Sequence, residues 1–130
     1  MTVMEQVLGI VNDLDILPTA KLDYLGTAVP SVSVMQLPGA ARAKTYIDGS
    51  GTVETPFAID VRTTADDTDT ASDIMRVLVE LEATDGLTEP LLELYGESTP
   101  AMVDRDGKGN VIWRATGVVK WNRGTTESEE

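Results

Sequence analysis

The sequence predicts an α+β domain, with a mostly antiparallel or mixed sheet of about five strands and two or three helices packed on one face. Three observations support this prediction. Residues 57–62 alternate apolar and polar side chains, as in a half-buried strand. Apolar residues from Ala71 to Leu81 then recur at three- and four-residue steps, as in an amphipathic helix. Strand-like segments are grouped before and after the helical ones, which favours antiparallel or mixed pairing over a regular βαβ alternation.

The first part of the chain reads as a helix followed by a strand. Residues 2–12 carry an apolar stripe at helical spacing, and Thr2 with Glu5 has the spacing of a capping box. Residues 21–30 are interrupted by Gly26 and Pro30, and we interpret them as an extended connection. Residues 31–37 alternate as a strand, with Val32 and Val34 facing inward.

A long hairpin over residues 40–55 is predicted next. Residues 43–47 form its first strand, and residues 52–55 lead into the strand at Phe57. Pro56 has no backbone N–H to donate, so it either lies near the start of that strand or marks an edge or a bulge there. We expect this hairpin to be the mobile part of the molecule, loose in a monomer and ordered in an assembly. Its flexible tip is the turn Asp48, Gly49, Ser50 and Gly51.

The amphipathic helix after residue 69 has several terminal signals. Thr70 followed by Asp73 is a loose capping box, and Gly86 is a natural stop. The preceding acids lie where the positive end of the helix dipole favours anions. These acids are Asp66, Asp67 and Asp69.

The last third of the chain reads as a short helix followed by a hairpin. Residues 87–96 are predicted to be a second, short helix, because Pro90 is tolerated in a first turn and leucines follow it. A strand begins at residues 102–103, a loop spans 106–110, and residues 111–121 form the longest strand, with Trp113 and Trp121 on its apolar face. Gly117 on that face indicates a bulge or a close backbone neighbour. Residues 1–123 are predicted to be one domain and 124–130 a disordered acidic tail.

Composition excludes several function classes. The 130-residue chain has no cysteine and no histidine, which excludes disulfides, thiolate metal sites and the Ser-His and Cys-His nucleophilic pairs. It has no phosphate loop and no dinucleotide-binding glycine pattern. A small hydrolase using two carboxylates is the remaining enzymatic alternative, but nothing in the sequence brings two acids into one pocket. We therefore predict that the protein is not an enzyme and has no cofactor.

Two acidic segments are candidates for a metal site. Counted from Asp104 as an EF-hand loop, the fifth position is Lys108 and the twelfth is Ala115, so two oxygen ligands are missing and a plain hairpin turn is favoured. The acids between residues 66 and 73 span a helix start, where their role at the helix N-terminus is a sufficient explanation. We therefore predict no metal site.

Charge is unevenly distributed along the chain. The net charge is −12, yet residues 66–93 carry −8 and residues 101–123 carry +3. A strongly negative field disfavours binding to nucleic acid phosphates. One interpretation is a soluble acidic surface; the other is that the acidic helix of one copy meets the basic hairpin of another. For that contact the sequence nominates Arg105, Lys108, Arg114 and Lys120 on the basic side, and Glu80 and Asp85 on the acidic side.

The order of elements resembles a known family. The chain opens with an N-terminal helix, which is followed by a valine-rich strand and a hairpin with a long loop. The strand at 56–62, an acidic link and a long helix come next, and a closing strand at 111–123 ends in aromatic and polar residues. This layout is similar to that of the tail terminator and minor capsid (head-tail joining) proteins of bacteriophages with long non-contractile tails. The resemblance spans residues 2–123 and depends on layout and size.

The resemblance implies a subunit without an active site that forms a ring, usually a hexamer. Such a ring caps the tail tube, docks to the head-side connector protein, lets DNA pass without specific binding, and resides in the virion after assembly in the host cytoplasm. Excess negative charge on the inner wall would let the duplex slide, and we place Asp66, Asp67 and Asp69 there as a hypothesis. The alternative is an acidic protein-binding module, an inhibitor or adaptor that acts as a monomer or dimer.

Overall fold

The computed structural model describes residues 2–37, 42–45, 51–87 and 89–122, and it describes the segment 42–45 by its backbone alone. The predicted tip residues Asp48, Gly49 and Ser50, and the predicted tail at 124–130, lie outside the described residues. Within them two helices and seven strands follow in this order: α1 (Val3–Leu14), β1 (Ala20–Leu22), β2 (Ser31–Gln36), β3 (Arg42–Thr45), β4 (Gly51–Thr64), α2 (Thr70–Glu82), β5 (Leu91–Gly96), β6 (Ala101–Arg105) and β7 (Asn110–Asn122).

The strands form one mixed sheet. Its main order is β1-β2-β4-β7-β5, while β3 pairs with β4 and β6 pairs with β7. The β1–β2 pair is parallel and every other described pair is antiparallel. The predicted α+β class with a mixed sheet is confirmed, and the described sheet has seven strands rather than about five.

Strands β4 and β7 are the centre of the sheet. They pair without interruption from Thr52 opposite Asn122 to Thr64 opposite Asn110. Pro56 lies inside β4 rather than near its start, and its carbonyl accepts a hydrogen bond from the Leu37 backbone N–H at 3.0 Å. Because the N–H and C=O positions of one strand residue point to the same side, the missing donor of Pro56 faces the end of β2 and leaves the pairing with β7 intact.

One hydrophobic core lies between the two helices and one face of the sheet. From α1 it takes Met4, Val7 and Val11, as the predicted stripe requires. The capping box of α1 is confirmed: Thr2 Oγ1 accepts from the Glu5 N–H at 3.1 Å, and Glu5 Oε1 accepts from the Thr2 N–H at 2.7 Å. The buried strand residues that complete the core alternate along β2, β4 and β7, as expected; they are Val32, Val34, Phe57, Ile59, Val61, Ala115 and Val119.

The predicted short helix at 87–96 is wrong, because residues 91–96 form β5 at the edge of the sheet. Leu91 and Leu94 are its buried residues, three positions apart as they would be on a helix. That spacing arises because the pairing with β7 shifts between Leu91 and Glu93, at a β-bulge. The edge of β7 away from β4 needs hydrogen-bonding partners, which β5 supplies for residues 117–121 and β6 for residues 111–114.

The extended connection predicted at 21–30 contains part of a strand that the sequence analysis missed. Residues 20–22 pair in parallel with β2. The Asn12 side chain holds the other edge of this short strand, with Oδ1 accepting from the Ala20 N–H at 2.8 Å and Nδ2 donating to the Ala20 carbonyl at 3.3 Å. A helix side chain therefore takes the place of a neighbouring strand.

Candidate functional site

The basic hairpin predicted near residue 108 is the turn between β6 and β7. Asp106 organises it: Oδ1 accepts from the backbone N–H groups of Lys108 at 2.8 Å and Asn110 at 3.0 Å. Its other carboxylate oxygen, Oδ2, forms an ion pair with Arg62 at 2.8 Å. Because these contacts are those of a hairpin turn, the hairpin interpretation of this loop is confirmed.

The same contacts set the electrostatics of the hairpin tip. Hydrogen bonds from the Lys108 and Asn110 backbones lower the pKa of Asp106 to about 2 from its ordinary 3.8. Arg62 balances the resulting negative charge of Asp106. Arg105 and Lys108 are both exposed at this end of the sheet, so they can meet a partner.

Arg114 lies away from this tip, although the sequence grouped it with Arg105 and Lys108. Its Nε and Nη2 atoms donate to the two carboxylate oxygens of Asp60, at 2.8 and 2.9 Å. Asp60 is only 4% exposed, and its hydrogen bond raises the pKa of Arg114. This bidentate pair joins β4 to β7 on the sheet face opposite the helices, so Arg114 has a structural partner within its own subunit.

Lys120 lies near the far end of β7, in register with Glu54 of β4 and Glu93 of β5. Two carboxylates on the neighbouring strands therefore flank it. The structure does not bring the four nominated bases into one patch: Arg105 and Lys108 share the hairpin, while Arg114 and Lys120 lie further along β7. The role of all four at a subunit interface stays a prediction.

The nominated acids Glu80 and Asp85 are both exposed, Glu80 on α2 and Asp85 in the turn that follows it. Asp73, on the first turn of α2, is 3.8 Å from Arg76 in an exposed ion pair. Such a surface pair contributes little to the free energy of unfolding.

The N-cap residue of α2 is Asp69, whose side chain forms no capping hydrogen bond, and the side chain of Asp67, two residues earlier, supplies the acceptor instead. Its Oδ1 accepts from the backbone N–H groups of Asp69 at 2.9 Å and Thr70 at 3.1 Å, and its Oδ2 accepts from the Thr63 hydroxyl at 2.9 Å. These bonds lower the pKa of Asp67. The predicted Thr70–Asp73 capping box is wrong, since Thr70 is the first helical residue and is buried.

The other two acids proposed for an inner wall, Asp66 and Asp69, are exposed at the start of α2. Within the described residues, no group of three or more His, Cys, Asp or Glu side chains is placed to hold a metal ion. Gly51, predicted to lie at the hairpin tip, is instead the first residue of β4 and is buried opposite Thr45.

The structure also shows exposed apolar side chains that the sequence analysis did not identify. Met75, expected in the core, is 38% exposed, and Val79 one turn later is 56% exposed. They line a cavity of about 260 Å³ between α2 and residues 96–99. On β6, Met102 and Val103 are 43% and 52% exposed. Val79 follows Met75 by four residues, so helical spacing alone does not separate it from the core stripe.

Two larger cavities adjoin α1. One, of about 390 Å³, is lined by residues that include Asp23, Gln36 and Trp121, and the other, of about 450 Å³, lies between α1 and Leu87. Glu5 borders both, and one of its oxygens, Oε1, accepts from the Thr2 backbone N–H. This part of the surface is therefore shaped by helix capping as well as by apolar packing.

Comparisons with known proteins leave the family open. No family model matches this chain, and no curated protein sequence is significantly similar to it. In the described part of the chain, neither helix is long and apolar enough to cross a membrane.

Proposed function

We propose that this protein is a structural subunit that assembles head to tail into a ring, of the kind that caps the tail tube of a long non-contractile phage tail and joins it to the head-side connector. The proposal draws on the layout of elements, which resembles that of tail terminator subunits, and on the α+β fold. The resemblance suggests six subunits in the ring.

One observation carries the proposal: a single subunit presents two unlike charged surfaces. The β6–β7 hairpin exposes two cations, Arg105 and Lys108, and one acid, Asp104. In contrast, α2 and the turn after it expose Glu80 and Asp85. A closed ring needs contacts in which one patch meets a different patch on the next copy. Opposite charges on the two patches would favour that arrangement over contacts between identical patches, which would place like charges together.

Sedimentation and electron microscopy of the purified protein, with and without tail tubes, test this proposal. We expect ring particles on tube ends or at high protein concentration, and fewer of them in high salt because exposed charges are screened. A variant with Arg105→Glu and Lys108→Glu should lose the rings while remaining folded. If only lone subunits appear under every condition, including with tubes supplied, the proposal is overturned.

A further inference from the structure

Two pairs of exposed apolar side chains lie outside the core of the subunit. The first pair is Met75 and Val79, four residues apart and therefore on one side of α2. The second pair is Met102 and Val103, consecutive residues of the edge strand β6. All four residues are between 38% and 56% exposed. Clustered apolar surface of this kind marks interaction sites more often than single exposed residues do.

The groove beside the first pair has a definite shape and charge. It has a volume of about 260 Å³, and its lining includes Met75, Val79, Glu82 and Glu97. Both ionisable residues in that lining are acids, and no Lys or Arg is among them. Glu82 Oε2 accepts from the Gly96 backbone N–H at 2.7 Å, which holds α2 against β5 and keeps the groove in place.

The second pair has the complementary character. Met102 and Val103 are followed by two exposed charged residues, Asp104 and Arg105, and Lys108 lies at the adjoining turn. Asp104 is in register with Ile112 and Arg105 with Val111, so these two charges lie on opposite faces of the sheet. The neighbouring Asp106 is balanced by Arg62, so it does not cancel these cations. On an extended strand Arg105 is only about 7 Å beyond Val103, a distance that its long side chain can span. Met102 is in register with Trp113 and Arg105 with Val111, so these two side chains share a sheet face, with Val103 at the bulge between Met102 and Asp104. Apolar side chains next to a cation on β6 therefore match apolar side chains next to two carboxylates in the groove.

We propose that β6 of one copy docks in the α2 groove of the next copy. Met102 and Val103 contact Met75 and Val79, and Arg105 faces Glu82 and Glu97. This assignment rests on the proposed ring and names the surface through which its subunits meet. The contact is heterologous, as ring closure requires. Four side chains bury less area than the roughly 1,000 Å² expected for a stable interface between two proteins. We therefore expect the contact to be stable only in the ring, where each subunit binds two neighbours at once.

Cysteine cross-linking tests this assignment directly, because the natural chain has no cysteine. One protein carries Val79→Cys and a second, distinguishable by a mass tag, carries Val103→Cys, so that only a contact between copies joins them. After mixing at high concentration or on tail tubes, we expect disulfide-linked pairs to form at least about tenfold faster than in the control mixture, since docking raises the local thiol concentration. The control mixture pairs Val79→Cys with Leu92→Cys, which is also exposed but lies outside the proposed contact.

A charge-reversal arm tests whether the ion pair orients the contact. Adding Arg105→Glu to the Val103→Cys protein should lower the cross-linking rate toward that of the control, and adding Glu97→Lys to the Val79→Cys protein should restore it. Rings in micrographs with cross-linking no faster than the control would overturn the surface assignment and leave the proposed function standing. Fast specific cross-linking that stops at dimers, without rings, would support the contact and overturn the ring.

Discussion

The absence of a side chain at Gly117 allows β5 and the core residue Phe57 to pack closely against the backbone of β7. A Cβ atom at this position would lie 2.8 Å from Phe57 Cζ and 2.9 Å from the Tyr95 carbonyl oxygen. The pairing of β4 with β7 runs through it without a break, so of the two interpretations of this glycine the close neighbour is confirmed and the bulge is excluded. The missing methyl group thus leaves room for the Phe57 ring against the backbone of β7.

Gly117→Ala is expected to lower the free energy of unfolding by about 1–3 kcal/mol, because neither the buried Phe57 ring nor the strand backbone can move away cheaply. Urea denaturation followed by tryptophan fluorescence measures the change. Gly9→Ala is the matched control, since it adds the same atoms on an exposed helix where nothing lies within 4 Å of the new Cβ. That variant should gain about 1 kcal/mol from helix propensity. Equal effects in the two variants would contradict the steric explanation.

The Asp60–Arg114 pair predicts a stability effect rather than an assembly effect. Replacing Arg114 with Met leaves the nearly buried Asp60 carboxylate without its bidentate partner, at a cost of about 3 kcal/mol. Denaturation of Arg114→Met measures that cost, and the double variant with Asp60→Asn should recover part of it because the buried charge is then absent. If Arg114→Met is as stable as the natural protein but fails to assemble, the structural role assigned here is wrong.

Asp106 predicts how stability depends on acid. Its pKa in the folded protein is about 2, below the ordinary 3.8, so the folded state binds this proton less readily than the unfolded chain does. Its contribution is therefore fully present above the ordinary value and is lost as pH falls through the folded-state value. Asp106→Asn, whose side-chain oxygen can still accept from the Lys108 and Asn110 backbone N–H groups, should lose less stability over that acid range. Denaturant midpoints at a series of acidic pH values check this, and parallel curves for both proteins would refute it.

At the scale of elements, the start of α2 depends on a residue that precedes the helix. Asp67→Ala should lower the free energy of unfolding by about 1 kcal/mol, the usual cost of removing a side-chain cap. Asp73→Ala is the control, because Asp73 holds only an exposed ion pair with Arg76 at 3.8 Å. Thermal unfolding of both variants tests the order of effects; a larger loss for Asp73→Ala would restore the capping box that the structure contradicts.

Elements were predictable from sequence where the hydrophobic period was unambiguous. The stripe of α1, the alternation in β4 and the long apolar face of β7 each repeat often enough to determine one type of structure. The failures are short segments whose conformation is set by neighbours. In β5 a bulge places Leu91 and Leu94 at helical spacing, and in β1 three residues are held by β2 and by Asn12, a partner eight residues earlier. Neither the bulge nor the pairing of β1 can be recognised from the local sequence pattern.

At the scale of the whole molecule, the acids at the start of α2 can now be separated by role. Asp67 is engaged in capping, whereas Asp66 and Asp69 are exposed. A variant that neutralises all three would confuse a folding defect with a change of surface charge. The hypothesis of an acidic inner wall is therefore tested with Asp66 and Asp69 alone.

In the proposed ring, the Asp66→Lys, Asp69→Lys variant is expected to retain duplex DNA that the unchanged ring would release, because added cations attract phosphates and the effect is sensitive to salt. Gel-shift measurements over a salt series, on rings verified by microscopy, provide the readout. A variant with Glu89→Lys and Glu93→Lys changes the net charge by the same amount at two other exposed acids and serves as a control for overall charge. Equal DNA release by all three rings would remove these two acids from the inner wall.

The sequence by itself determined the α+β class, the central strands and helices, the lack of histidine and cysteine, and the uneven charge, because composition and periodicity are local properties of the chain. Only the tertiary structure decided which charges are available to a partner. It paired Arg114 with Asp60, engaged Asp67 in a helix cap, and left Met75, Val79, Met102 and Val103 in contact with water. The physical reason is that burial and pairing join residues far apart in sequence: the partners Asp60 and Arg114 are 54 positions apart, and no local pattern connects them.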